Sequence, residues 1–195
     1  MRGFSSSVRY RFKKCKKKDQ KGYGKSSELA IFKKLETKSK KRKKNKKPVK
    51  ASQIQRILKC CPRFIGCFAE DELEGLKLKI FPCFLIVNID SSNLDGSHWL
   101  ALGLFQDRLE IMDPLGFTIF NWQRVPCTLL RFCHLFGSRR KIFVTKPIQS
   151  KFSTLCGFYC IYYVIFRQLY SLNKIQSVFG ADLNQNDSQL IKAFS

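Results

Sequence analysis

Apolar residues are sparse over the first fifty positions and dense afterwards, and the change in pattern divides the chain. In the first part, Leu29, Phe32 and Leu35 recur at helical spacing and predict one short helix over residues 28–35. Pro48 marks the boundary, so the pattern predicts a tail over residues 1–50 and a folded domain over residues 51–195. Ile54, Ile57 and Leu58, following Ala51-Ser52, predict an amphipathic helix ending near Cys61-Pro62. The acidic cluster Glu70, Asp71, Glu72 and Glu74 reads as a solvated loop or a helix start. Short apolar runs bounded by turn residues follow, which is how strands read. Residues 84–89 form one such run, and the Ser, Asn, Asp and Gly of residues 90–96 a loop. Residues 99–105 and 108–112 are separated only by Gln106-Asp107, which predicts a hairpin. Residues 124–136 read as a helix, 141–145 as a strand and 157–169 as a buried helix. This order predicts an α+β fold, a central mixed sheet flanked by helices.

Charge sharpens the division. The whole chain has a formal net charge of +23, yet residues 1–50 hold 21 basic and three acidic side chains. A segment so charged and so poor in apolar surface is expected to be disordered in free solution. The remaining 145 residues carry an ordinary balance and are long enough to bury a core without disulfides. The longest apolar stretch, residues 156–166, stops at Arg167, too short for a membrane span. Nine cysteines behind a polar, basic start with no apolar signal core point to a reducing intracellular compartment.

With two histidines in the chain, cysteine–histidine chemistry can be built in few ways. His98 stands between a Gly-containing loop and the strand opening at Trp99, and Asp113 closes the partner strand before Pro114 and Gly116. A hairpin brings those two strand ends together, so Asp113 could orient the His98 imidazole. Cys156 opens an apolar helix, where free N–H groups and the positive end of the helix dipole favour a thiolate and an oxyanion. Gln149, seven residues earlier, could donate a side-chain N–H to that oxyanion. Every part of a thiol acyl-transfer site is present. Each residue also has an ordinary structural explanation: a cysteine before an apolar helix is usually core, and an aspartate before Pro-Leu-Gly usually forms a turn. Cys127, Cys133 and His134, with Cys60, Cys61 and Cys67, offer no Cys-x2-Cys pair, so no metal is expected. His134 reads as a helix-end residue and Cys160 as core.

The ordered set His98-Trp99, Asp113-Pro114-Leu115-Gly116, Gln149 and Cys156-Gly157-Phe158-Tyr159-Cys160 resembles the adenovirus protease (adenain) family, of the papain-like clan that includes the proteases of SUMO and other ubiquitin-like proteins. Upstream, Arg63-Phe64-Ile65-Gly66 with Cys67-Phe68 is similar to the family's segment after its first helix, and the resemblance covers roughly residues 52–170. The seven-residue step from Gln149 to Cys156 resembles the viral branch, because the deconjugating proteases usually have six. Leu155 also differs from the aspartate that commonly precedes their cysteine. The resemblance implies Cys156 as nucleophile, His98 as general base, Asp113 as its orienting acid, and Gln149 with the Cys156 N–H as the oxyanion hole. It places Trp99 beside the substrate and Gly157 where close substrate approach is needed. Many adenains have Glu where Asp113 stands, whereas Asp is usual in the deconjugating branch. The family cleaves after Gly-Gly or Gly-x, so the partners implied are proteins with such sites.

The tail has its own chemistry. Lys40, Lys41, Arg42, Lys43, Lys44, Lys46 and Lys47 would bind DNA by phosphate neutralisation without base preference, and also suit nuclear import. DNA and a short basic, cysteine-containing peptide activate adenain, so the resemblance implies both as activators, with no cofactor required for the chemistry. Tyr10, Phe12 and Cys15 among Arg and Lys residues give the tail the composition of such a peptide acting in cis. These expectations describe a monomeric cysteine endopeptidase of the host nucleus or the virion that matures structural proteins of a virus or virus-like element. The alternatives are a protease deconjugating a ubiquitin-like protein, and a nucleic-acid packaging protein with an inactive protease-like domain.

Overall fold

The computed structural model describes residues 48–116, 125–135 and 140–194. The helical patch at residues 28–35, the lysine block and Cys15 lie outside the described residues.

Helix α1 (Ala51–Leu58) presents Ile54 and Leu58 to the core one turn apart, and the Gln53 side chain accepts the Lys50 N–H at 2.9 Å to close its first turn. Strand β1 (Phe64–Phe68) follows, then a 3₁₀ turn (Glu70–Leu73) that takes up the acidic cluster. Strands β2 (Cys83–Asn88), β3 (Trp99–Leu104) and β4 (Arg108–Met112) are followed by helix α2 (Cys127–Leu135) and strand β5 (Arg140–Val144). Helix α3 (Cys156–Arg167), the short α4 (Leu172–Gln176) and α5 (Leu183–Ala193) complete the chain.

The five strands form one sheet in chain order. The inner pairs β2–β3 and β3–β4 are antiparallel, and the outer pairs β1–β2 and β4–β5 are parallel. The sheet is therefore mixed and the fold α+β, as the pattern predicts. The hairpin forms where expected, with Ala101 opposite Met112 and Leu104 opposite Leu109.

Two cores explain why the central strands are apolar without alternation. Phe84, Ile86, Ala101 and Met112 face a layer made by α1, α3 and α5, while Leu85, Val87, Leu100, Leu102 and Ile111 face α2 and the 3₁₀ turn. Gly103 lets α3 come close: a Cβ there would sit 2.3 Å from the Tyr163 hydroxyl oxygen.

The boundary at residue 51 needs correction. Val49 is buried in the core, and its carbonyl accepts a hydrogen bond from Trp99 Nε1 at 3.1 Å, so the domain already includes residues before α1. Among the described residues, no helix is long and apolar enough to cross a membrane.

Candidate active site

The hairpin does what its register requires. His98 lies one residue before β3 and Asp113 one residue after β4, so the antiparallel pairing brings the two strand ends together on a diagonal, with His98 Nε2 2.8 Å from Asp113 Oδ1. Both side chains are largely shielded from solvent. Asp113 is held from behind, because the same Oδ1 accepts the Leu115 N–H at 2.9 Å while its carbonyl accepts from Gly116. Gly116 has φ +80°, and a Cβ there would lie 2.7 Å from Thr145 O and from Pro147 N. The Asp-Pro-Leu-Gly motif is thus a turn packed onto the segment that leaves β5.

That packing carries Gln149 in. The N–H groups of Ile148 and Gln149 both donate to Pro114 O, at 2.9 and 3.0 Å, so the loop before α3 is tied to the turn after Asp113. Gln149 is 2% exposed; its Nε2 donates to Ser153 O at 2.7 Å, and its Oε1 is buried with no partner. One N–H of the amide is thereby fixed and the other is left to donate elsewhere.

Cys156 is the first residue of α3, and Leu155 before it supplies no capping side chain. The Leu155 carbonyl accepts the N–H groups of Phe158 and Tyr159, and its buried side chain offers no acceptor to those of Cys156 and Gly157. Cys156 is close enough to act on His98, whose Nε2 is engaged by Asp113. Burial is the largest influence on His98 and draws its pKa down. The hydrogen bonds and negative charges of Asp113 and Cys156 outweigh it and raise the imidazole from 6.5 to about 9. His98 is therefore charged at neutral pH.

One cleft of about 1280 Å³ brings these groups together, with His98, Asp113, Gln149, Cys156, Trp99, Leu115 and Lys151 in its wall. Residues 48–51 form another part of the wall, and the loop preceding His98 forms a third. That loop is fastened to the 3₁₀ turn by Ser91 Oγ donating to Glu70 Oε1 and by the Ser92 N–H and hydroxyl donating to Asp71, each at 2.8 Å.

Other thiols are built differently. Cys67 also reaches the cleft, but burial pushes it up to about 12. Cys160 is fully buried one turn along α3, donates to Trp99 O at 3.3 Å and is also pushed up by desolvation. It is core, as expected. His134 is exposed in the last turn of α2, on the far face of the sheet from Cys156.

A Cβ on Gly157 would meet Val49 Cγ1 at 2.2 Å, Trp99 Cδ1 at 3.1 Å and Ile54 Cδ1 at 3.4 Å. The room left by the absent side chain is filled by the chain itself, so packing alone requires glycine at this position. Trp99 does line the cleft, and its ring nitrogen fixes the Val49 wall.

Sequence reasoning missed the partners of the Gln149 loop. Ser153, Tyr159, Asn186 and Asp187 converge on it, the last two from α5. A signal for α5 was present: the Asp182 side chain caps it by accepting from the N–H groups of Asn184 and Gln185.

No family model and no curated protein matches the chain. Among solved structures, the chain is similar to the ASFV pS273R protease, with 24% identity and a TM-score of 0.35, over 63% of this chain and 48% of that one. It is also similar to the central domain of the uncharacterized Lpg1148 protein of Legionella pneumophila, with 10% identity and a TM-score of 0.43, over 76% of this chain and 94% of that one. The chain thus spans about half the length of the ASFV protease chain.

Proposed function

We propose that the chain is a cysteine endopeptidase of the papain-like clan, of the adenain type. The observation that carries this is the buried His98–Asp113 pair at 2.8 Å, facing a thiol at the uncapped start of α3. The Cys156 thiolate adds to the scissile carbonyl carbon, and the carbonyl electrons move to oxygen. That oxyanion receives hydrogen bonds from the free Gln149 N–H and the Cys156 backbone N–H. Collapse breaks the C–N bond as the His98 imidazolium gives its proton to the leaving amine. Neutral His98 then takes a proton from water, and the resulting hydroxide opens the thioester, restoring Cys156 and the charged imidazole. Asp113 holds the ring by its Nε2 throughout, so the other nitrogen stays toward sulfur.

The preferred sites, after Gly-Gly or Gly-x, come from the sequence resemblance, as does a role in maturing proteins of a virus or virus-like element in the host nucleus or virion. The basic tail would hold the enzyme on DNA, with DNA and a basic cysteine-containing peptide as activators. Cleavage of a Leu-x-Gly-Gly fluorogenic peptide by wild type and Cys156→Ala, with and without duplex DNA, tests the proposal. Wild-type cleavage, lost on the order of 10⁴-fold or more in the variant, is expected. Equal rates would reject Cys156 as nucleophile. Cleavage only of a folded ubiquitin-like fusion would move the assignment to the deconjugating branch.

A further inference from the structure

The loop that carries Gln149 is held from outside by the C-terminal helix. Asp187 of α5 accepts the Tyr159 hydroxyl at 2.8 Å, and the Ser153 side chain and Ser150 backbone beside it favour its charged form against the burial that raises its pKa. The carbonyl of the same Ser153 accepts Gln149 Nε2 at 2.7 Å. Its neighbour Asn186 is 1% exposed; its Nδ2 lies 3.1 Å from Ile148 O and 3.2 Å from Gly180 O, and its Oδ1 accepts the Gly180 N–H at 2.9 Å. Ile148 O also lies 3.0 Å from the Tyr159 hydroxyl. Residues 148, 150 and 153 therefore all interact with α5 or with a tyrosine that α5 engages. Leu183, at the first turn of α5, lines the cleft itself.

Gln149 needs such support. Its Oε1 is buried without a partner, so among the described residues the side chain is hydrogen-bonded in this pose through Nε2 alone. The bond to Ser153 O decides which way the amide faces, because the reverse orientation would set oxygen against oxygen. What fixes Ser153 therefore fixes the oxyanion donor.

We infer that Asp187, acting through Ser153 and seconded by Tyr159 and Asn186, is a positioning residue for the Gln149 oxyanion donor, which makes α5 part of the active site. This rests on the oxyanion role proposed above for Gln149. A donor aimed from a rigid frame stabilises the developing charge without reorganising, whereas a loose one does so only after paying for order. Asp187 does not touch Cys156 or His98 in this arrangement, so the reactivity of the thiol should be separable from the stabilisation of the oxyanion.

The test uses the full chain as wild type, Asp187→Asn and Tyr159→Phe, with three readouts. The first is kcat and KM on the Gly-Gly peptide. The second is the rate of Cys156 alkylation by iodoacetamide, a displacement at carbon that forms no oxyanion. The third is the Gln149 side-chain amide signal in ¹H–¹⁵N spectra, assigned by its loss in Gln149→Glu. In Asp187→Asn, kcat is expected to fall roughly tenfold to a hundredfold, less than for outright loss of an oxyanion donor, with KM little changed. Alkylation should stay within about twofold of wild type, because the thiolate and its imidazolium are untouched. The Gln149 amide signal should shift. Tyr159→Phe removes one of the groups held by Asp187 and should give the same pattern more weakly.

An unshifted Gln149 signal or an unchanged kcat overturns the inference. So does a parallel fall of kcat and alkylation, which would mean that α5 supports the whole domain. The amide signal needs no turnover: a silent wild type with a shifted signal leaves the positioning standing and removes the protease reading.

Discussion

Two carboxylates are buried three residues apart on one strand and its end, and they do opposite work. Glu110 is 1% exposed, in the middle of β4, and Asp113 is 7% exposed just beyond it. Glu110 accepts from Arg167 Nε and from the Tyr163 hydroxyl at 2.8 Å, and from a second Arg167 nitrogen and Arg108 Nε at 2.9 Å. Both guanidinium groups lie against the Phe105 ring, 4.1 and 4.6 Å from its centroid. Burial is the largest influence on Glu110 and raises its pKa, but the two arginines and the tyrosine reverse the shift and hold it low. No partner there can exchange a proton near neutral pH. Asp113 instead faces one imidazole, whose charge can change. A buried carboxylate becomes a strut or part of a reactive pair according to what stands opposite it. Helix α3 supplies Arg167 and Tyr163 to Glu110, while the residue before β3 supplies His98 to Asp113.

Removing the Glu110 charge should break the comparison hardest. Glu110→Gln leaves two guanidinium groups facing a neutral amide and should cost about 3 kcal/mol of stability, the low end for a broken buried pair because Arg108 reaches solvent. Urea denaturation would measure it; a midpoint equal to wild type would mean the cluster is no strut. Asp113→Asn should cost little stability but lower kcat on the order of 10²-fold or more, by freeing the ring and its tautomer. If the two substitutions instead exchanged effects, the distinction between the carboxylates would be gone.

Gly157→Ala should come next, at about 1–3 kcal/mol of stability, because the added methyl collides with Val49. Rescue by Val49→Ala in the double variant would confirm the clash. The finest test is pH. His98 titrates at about 9, above its ordinary 6.5, so kcat/KM should fall as pH rises through about 9 and the imidazolium is lost. The sign for stability is the same: what the charged ring contributes is complete below 6.5 and disappears as pH climbs through about 9. Asp113→Asn should move that limb to lower pH and Glu110→Gln should leave it in place. A limb that both variants share with wild type would detach it from His98.

The site was legible where chemistry forces residue type and order. A histidine and an aspartate at the open end of a hairpin can be placed near each other from the short turn, and a cysteine opening an apolar run from the run itself. Strand β1 was not recognised as a strand, because Gly66 interrupts its five residues and its pairing with β2 is irregular beside Ile65. Helix α5 was hidden by polarity: Asn186 and Asp187 look like surface residues until the Gln149 loop arrives to use them. The same holds for Glu110, whose arginine and tyrosine lie 57 and 53 residues away. Nothing local to Gly157 shows that Val49, more than a hundred positions earlier, fills the space beside it.

Residues 48–51 are a stretch of cleft wall, and the Trp99 ring nitrogen nails Val49 to it. The basic segment thus leaves the domain through the rim of the cleft, with no spacer between the two. If that segment is held on DNA as proposed, the cleft is held with it, much as a mooring line decides where a boat lies along a quay. A few residues inserted before Pro48 would then change where the cleft is held and leave its wall unaltered.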